Sequence, residues 1–191
     1  MSSSATQIAS SRHRTLDFAA QCAMVIGASL FVALCARIYI PLPGTPVPLT
    51  VQNLGVLLVG LALGSRRGFA ALALYLAEGA AGLAVFSPHG PGGIAQIAGP
   101  TGGYLVAYPF VAALAGYLFE RGKPSFVRAA LASVAGEILL FAFGISWLYV
   151  LTHSLGMALS FGLYWFVSAE VIKVMIAAGT ARTWQTVSRR N

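Results

Sequence analysis

Two opposite charges lie one helical turn apart in an otherwise apolar stretch near the C-terminus. Glu170 and Lys173, in SAEVIKVM, have the i, i+3 spacing that places both side chains on one face of a helix. A charged side chain at bilayer depth costs about 2.5–3.5 kcal/mol, so it needs a partner or a wet cavity. The pair offers acceptors and a donor side by side, which complements a neutral group that holds both N–H and C=O. We expect ligand binding; the alternative is a self-neutralising pair that only packs the helices.

Two adjacent amides, Gln52 and Asn53, open a second apolar segment after a proline-rich stretch. They could bind polar atoms of a ligand, or they could cap the helix that begins there. Two other acids, Glu78 and Glu137, lie alone inside apolar segments. Each could pair across a helix bundle, stay protonated or mark a proton path.

A glycine-rich run, Gly99 to Tyr104, opens another apolar segment. Glycines let backbone N–H groups approach a ligand closely, and Thr101 is a predicted N-cap. Because helix N-termini attract anions, Thr101, Gly102 and Gly103 are candidates to bind a solute carboxylate. A tight turn with close helix packing fits the same residues equally well. Tyr104 and Phe86 could stack on a ligand, or anchor the protein at the membrane interface.

The sequence lacks the residue patterns of catalysis. His13, His89 and His153 are scattered, so we predict no metal site and no cofactor. No GxSxG nucleophile motif occurs. The segment GYLFERGKP (116–124) has the wrong glycine spacing for a phosphate loop, and Pro124 replaces its Ser or Thr. We therefore predict a protein that is not an enzyme, with any active transport driven by partner subunits or an ion gradient.

Composition indicates a membrane protein. Of 191 residues, 58% are hydrophobic and only 9% are charged, whereas soluble domains carry roughly 25% charged residues. The net charge of +7 is also typical of nucleic-acid binding. Because the basic residues lie between apolar spans, we expect membrane lipids as partners and no nucleic acid.

The apolar segments predict an all-α integral membrane protein with six transmembrane helices. A span needs roughly 20 residues, and the candidates are 18–36, 49–65, 68–86, 101–119, 129–151 and 155–181. We predict a cytoplasmic tail over 1–17, one membrane domain over 18–181 and a cytoplasmic tail over 182–191. The first span is predicted to be retained rather than cleaved as a signal peptide.

Charge fixes the predicted orientation. With the N-terminus inside, ten of the twelve Lys and Arg residues lie on the cytoplasmic side, as the positive-inside rule requires. Both termini are then cytoplasmic. The proline-rich segment 37–48, predicted to be extended, and the glycine-rich segment 87–103 share the outer face, where a solute would enter.

Three segments carry a family resemblance. PLPGTPVPLTVQNLGVLLVGLALGSRRG (41–68), GPTGGYLVAYP (99–109) and the final E-x-x-K pattern resemble the BioY family, the biotin-specific substrate-binding membrane subunits (S components) of energy-coupling factor (ECF) transporters. The resemblance implies a six-helix S-component fold in the bacterial inner membrane, with biotin held near the outer face.

The resemblance also implies roles for particular residues. Glu170, where the family more often has Asp, would accept the two ureido N–H groups of biotin, and Lys173 would donate to the ureido oxygen. Some members carry an Arg where Leu105 stands here, so the Gly102 and Gly103 amides are the first candidates to bind the valerate carboxylate.

Partner proteins are implied in the same way. S components work with a coupling membrane (T) subunit and two cytoplasmic ATPase subunits, and they contact the coupling subunit through small residues on the first helix. Ala19, Ala23 and Gly27 match that pattern at i, i+4 and i+8, although ordinary intramolecular packing would use the same residues. The sequence leaves open uptake without ATPase partners, as a homo-oligomer, and specificity for a different vitamin. A membrane enzyme or assembly anchor is the alternative from another class.

Overall fold

A computed structural model of the chain describes the backbone of residues 3–188 and the side chains of residues 17–181. The backbone is mostly helical, with one short antiparallel hairpin in which Tyr39 lies opposite Thr50. Arg12, His13, Arg14, Arg182, Arg189 and Arg190, which entered the sequence predictions, lie outside the described side chains. The elements in chain order are α1 Ser3–Cys35, β1 Tyr39–Ile40, β2 Leu49–Thr50, α2 Gln52–Ala80, α3 Gly93–Ala98, α4 Gly102–Glu120, α5 Phe126–Thr152, α6 Leu155–Leu159, a π-helical turn Ser160–Tyr164 and α7 Val167–Ser188.

Several helices are long and apolar enough to cross a bilayer. Within the described residues four meet this test: the Asp17–Cys35 part of α1, then α2, α4 and α5. A fifth is added if α6, the π-helical turn and α7 form one span with a 41° bend. The chain is therefore a multi-pass membrane protein, although this count does not reach the six spans predicted from the sequence.

Helix α2 covers most of two predicted spans, 49–65 and 68–86. It folds back on itself at Gly64. Gly64 has φ 78° and ψ −179°, a conformation open essentially only to glycine. The Gln52 Nε2 donates to the hydroxyl of Tyr75 over 2.8 Å, although 23 positions separate the two residues. A straight helix would hold them about 35 Å apart. The arms before and after Gly64 therefore lie side by side.

Helix α4 packs against both arms of α2 through small residues. A Cβ at Gly60 would come within 3.0 Å of the Ala112 Cα, and one at Gly116 would come within 2.6 Å of the Ser65 nitrogen. Such close backbone approach is how helices associate in membranes, where apolar burial gives little driving force. This crossing holds α4 against the part of α2 around Gly64.

The last predicted span, 155–181, is not one continuous helix. The Ser154 hydroxyl caps α6, which passes into the π-helical turn, and the chain bends before α7 begins at Val167. π-helical turns often mark functional sites. The bend places Glu170 in the first turn of α7, where the helix dipole stabilises a carboxylate.

The two segments that were predicted to lie on the outer face also differ in detail from expectation. Of the proline-rich segment 37–48, predicted to be extended, Tyr39–Ile40 form β1, which pairs with β2 just beyond the segment, and the residues between the two strands form turns, bends and irregular backbone. The glycine-rich segment contains α3, a six-residue helix that the sequence analysis did not predict. Thr101 does occupy the N-cap position of α4, but its side chain makes no capping bond and instead donates to the Gln96 carbonyl over 3.5 Å.

Candidate functional site

One cavity is lined by residues from several elements of the bundle. Its volume is about 50 Å³, well below the roughly 300–1,000 Å³ of typical small-molecule sites. Entry of a vitamin-sized solute therefore requires the lining segments to move apart. The lining residues are Val47, Pro48, Thr50, Asn53, Ser87, Thr101, Tyr104, Leu105, Tyr108, Leu140, Phe141, Phe166, Glu170 and Lys173.

The two charges of α7 lie together on the cavity wall. The Lys173 Nζ donates to the Glu170 Oε1 over 2.7 Å, and both residues are buried, with 9% and 7% of their surface exposed. It is the only salt bridge found among the described side chains, which are those of residues 17–181. Each charge keeps bonding capacity beyond this contact, because an ammonium has three donors and a carboxylate about four lone-pair sites. The pair can therefore bind a ligand while its members stay in contact.

Asn53 joins this pair to a second carboxyl group. Its Nδ2 donates to the Glu170 Oε2 over 2.8 Å and to the Glu137 Oε1 over 2.7 Å. The three residues come from α2, α5 and α7 and lie 84 and 117 positions apart along the chain. Asn53, Glu170 and Lys173 therefore form one hydrogen-bonded polar cluster on the cavity wall.

Tyr104 contributes an aromatic wall and supports the π-helical turn. Its hydroxyl donates to the Gly162 carbonyl over 2.9 Å, and its ring lies against Gly144, where a Cβ would collide with it. The glycine therefore makes room for the ring. Tyr104 and Thr101, both predicted as site residues, line the cavity.

Two other predicted site residues support Tyr75 and do not line the cavity. Gln52 donates to the Tyr75 hydroxyl, which donates in turn to the Val85 carbonyl over 3.0 Å. The Phe86 ring meets the Tyr75 ring edge to face, with centroids 5.4 Å apart. In this arrangement Gln52 and Phe86 brace the arms of α2 beside the cavity, and their contact with a ligand stays a prediction.

Gly102 and Gly103 also lie away from the cavity lining. A Cβ at Gly102 would collide with the Ile97 carbonyl, and one at Gly103 would lie 2.7 Å from the Phe143 carbonyl. Trp147, which donates to the Gly99 carbonyl over 2.9 Å, packs against both. Close helix packing, one of the two interpretations of this run, accounts for both glycines. Carboxylate binding by their amides stays a prediction.

The predicted partner-contact residues form an open stripe on α1. Ala19, Ala23 and Gly27 are all exposed, and apart from the adjacent residues and backbone of α1, no atom of the described residues lies within 4 Å of where a Gly27 Cβ would stand. The alternative role of these residues, packing within the chain, is therefore not supported by any contact at Gly27 among the described residues.

Several residues of the lining were not predicted from the sequence. Ser87 is the most polar of them: it is 5% exposed, and its hydroxyl has no hydrogen-bond partner among the described residues. Tyr108, Phe141 and Phe166 add aromatic surface, and Val47 to Thr50 bring the hairpin over the cavity. An unremarkable loop serine and apolar residues in apolar helices carry no local signal of such a role.

The lining sets the kind of ligand that fits. Aromatic and aliphatic side chains form most of the wall, and one carboxylate, one ammonium, one amide and three hydroxyl side chains of Ser and Thr supply polar contacts. That combination suits a small, mostly apolar solute with a polar group at more than one position.

The chain is similar to known proteins over most of its length. Residues 4–190 match the BioY family. A Rhizobium etli protein named biotin transporter BioY is 40% identical over 160 residues, covering 79% of this chain and 84% of that protein. A Thermotoga maritima protein of the same name is 37% identical over 156 residues, covering 81% and 90%.

A solved structure shares the fold. It is a crystal structure of the S-component for biotin from an ECF-type ABC transporter, which superposes with a TM-score of 0.81 over 89% of this chain and 93% of that one, at 24% identity. The fold is thus that of an S component, and with the match over nearly its whole length the chain belongs to the BioY family.

Proposed function

We propose that this protein binds biotin at the outer side of the membrane and mediates its uptake as the substrate-binding subunit of an ECF-type transporter. The observation that carries the proposal is the buried Glu170–Lys173 pair on the wall of a cavity, in a chain 40% identical to a protein named biotin transporter BioY. The protein is accordingly a transport protein and not an enzyme.

The ureido ring of biotin is the group that fits the charged pair. Its N–H groups need acceptors and its carbonyl needs a donor, and Glu170 and Lys173 supply both within one helical turn. The aromatic rings of Tyr104, Tyr108 and Phe166 would then face the apolar ring and chain of the ligand. Burial away from water strengthens each of these hydrogen bonds.

The valerate carboxylate needs donors at the other end of the ligand. Apart from Lys173, no Lys or Arg is among the residues that line the cavity in the described part of the chain. Hydroxyl donors are present: Ser87 has an unpartnered Oγ, and Thr101 lies at the N-terminus of α4. We propose that these two residues meet the carboxylate, with the Gly102 and Gly103 amides as a further candidate.

The proposed topology has six passes with both termini in the cytoplasm. The fold-back at Gly64 supports counting α2 as two passes, and the bent segment from Leu155 counts as the last. The distribution of Lys and Arg supports the orientation. It places the hairpin and the 87–103 segment, which border the cavity, on the outer side.

Coupling to other subunits follows from this function. A T subunit and two cytoplasmic ATPase subunits are the proposed partners, and the exposed stripe Ala19, Ala23 and Gly27 is the proposed contact with the T subunit. Small residues there would allow the helices of the two subunits to approach closely.

Isothermal titration of the purified protein with biotin tests the proposal. We expect nanomolar-scale affinity, and no binding of thiamin or riboflavin under the same conditions. Absence of heat with biotin, together with thermal protection by another vitamin, would reassign the substrate while keeping the S-component role.

Uptake of radiolabelled biotin by cells that lack the T and ATPase subunits tests the need for partners. We expect uptake to require their co-expression. Full uptake by the chain alone would show that it transports without them.

A further inference from the structure

Glu137 is a buried acid that the proposed function does not use. It lies on α5, is 6% exposed and is not among the residues that line the cavity. Its one hydrogen bond given by the structure runs from Asn53 Nδ2 to its Oε1 over 2.7 Å. A carboxyl group in this position is costly in a membrane, so its contact with Asn53 calls for a physical role.

The two carboxyl groups together fix the orientation of the Asn53 amide. A side-chain amide has two N–H donors on one atom and an acceptor on the other. Nδ2 uses its donors on Glu137 and Glu170. If the amide turned over, its oxygen would face the Glu170 carboxylate, which is paired with the Lys173 ammonium, and an oxygen cannot donate to it. The contacts therefore select one orientation.

That orientation leaves one acceptor unused. The Asn53 Oδ1 is buried and has no hydrogen-bond partner among the described residues, and Asn53 lies on the cavity wall beside Glu170. An unpaired buried carbonyl oxygen is unfavourable until a donor reaches it. A ligand N–H in the cavity would be such a donor.

We infer that Glu137 is a positioning residue that holds the Asn53 amide so that its Oδ1 accepts one ureido N–H of biotin, while Glu170 accepts the other. The inference rests on the proposed biotin site. The role of acceptor for the ureido N–H groups, first given to Glu170 alone, is here divided between Glu170 and Asn53. Glu137 acts through Asn53 and does not touch the ligand. Its Oε1 can accept the amide bond whether the carboxyl is ionised or protonated, so the role needs an acceptor and not a charge.

Four variants test this role: Glu137→Met, Glu137→Gln, Asn53→Ala and the double variant Glu137→Met with Asn53→Ala. Met removes the acceptor at similar length, whereas Gln keeps an oxygen in the same place. We expect Glu137→Met to weaken biotin binding about tenfold and Glu137→Gln to weaken it less than about threefold. In the Asn53→Ala background, Glu137→Met should change the affinity by less than about twofold, because the residue it positions is gone.

A ligand pair gives a readout that a general loss of packing would not change. Biotin is compared with an analogue in which one ureido N–H is replaced by oxygen, in both regioisomers. The wild-type protein should discriminate against the isomer that lacks the N–H facing Asn53 by about tenfold. Glu137→Met should reduce that discrimination to about twofold and leave the response to the other isomer unchanged.

Several outcomes would overturn the inference. They are wild-type affinity in Glu137→Met, equal losses in Glu137→Met and Glu137→Gln, or additive losses in the double variant. Elution as a single species and thermal unfolding check the folding of each variant, and Glu137→Leu replaces Glu137→Met if the latter does not fold. Failure of the wild-type protein to bind biotin would overturn the proposed function and this inference together; normal wild-type binding with any outcome above would overturn the inference alone.

Discussion

Two glutamates inside the helices, Glu170 and Glu78, have very different surroundings. Glu170 accepts hydrogen bonds from the Lys173 ammonium and the Asn53 amide, in the first turn of α7 and on the wall of the cavity. Glu78 accepts one bond from the Ser29 hydroxyl at the contact of α1 and α2, and it is not among the cavity-lining residues.

The difference shows what an acid within a helix must have to bind a solute. A carboxylate inside a membrane protein is costly in either place, so its presence alone does not mark a site. At Glu170 a cation, an amide, a helix N-terminus and a cavity meet at one carboxylate. At Glu78 a single hydroxyl joins two helices, which is sufficient for packing.

The largest expected effect is that of Glu170→Ala. It removes the proposed acceptor for one ureido N–H group and leaves the Lys173 ammonium buried without its partner, so biotin affinity should fall by at least about a hundredfold. Isothermal titration measures the change. Retention of nanomolar affinity would place the ureido group elsewhere in the protein.

Lys173→Met should have the next largest effect. It removes the donor to the ureido oxygen but keeps a side chain of similar length, and we expect about a thirtyfold loss of affinity. The free protein should also unfold at a lower temperature, since the Glu170 carboxylate loses its ion-pair partner. An affinity equal to that of the wild-type protein would mean that the pair only packs the bundle.

Ser87→Ala tests the proposed contact with the valerate carboxylate. If the Ser87 hydroxyl donates to the valerate carboxylate, its removal should weaken biotin binding about fivefold and leave the binding of biotin amide within about twofold of wild type. Titration with both ligands measures this. Equal losses for the two ligands would contradict carboxylate recognition by Ser87.

The sequence predicted some spans better than others, for a physical reason. The segments 101–119 and 129–151 lie within one or a few residues of α4 and α5, because each is an apolar run of span length, uncharged in the first case and interrupted only by Glu137 in the second. The bend before Val167 had no such signal. Lipid-facing and buried positions are both apolar here, so no periodicity marks where the helix breaks.

The candidate site was predictable to the extent that its residues contrast with an apolar background. Glu170, Lys173 and Asn53 stand out for that reason. The contacts among Asn53, Glu137 and Glu170 were not predictable, because they join three helices and depend on how the bundle packs. The fold-back at Gly64 was anticipated only as a short basic connection, SRRG, since a positive φ leaves no trace in composition.

The smallest expected effect, that of Glu78→Ala, completes the comparison of the two acids. Ser29 is fully buried, so loss of its acceptor should lower the unfolding temperature of the free protein by a few degrees, an effect of about 1 kcal/mol. Biotin affinity should stay within about twofold of wild type, because Glu78 is not part of the cavity lining. Ser29→Ala is the matched control: it should restore part of the stability when combined with Glu78→Ala, since both ends of the bond are then removed. A loss of affinity as large as that of Glu170→Ala would mean that the ligand lies between α1 and α2 and that the ion pair of α7 is structural.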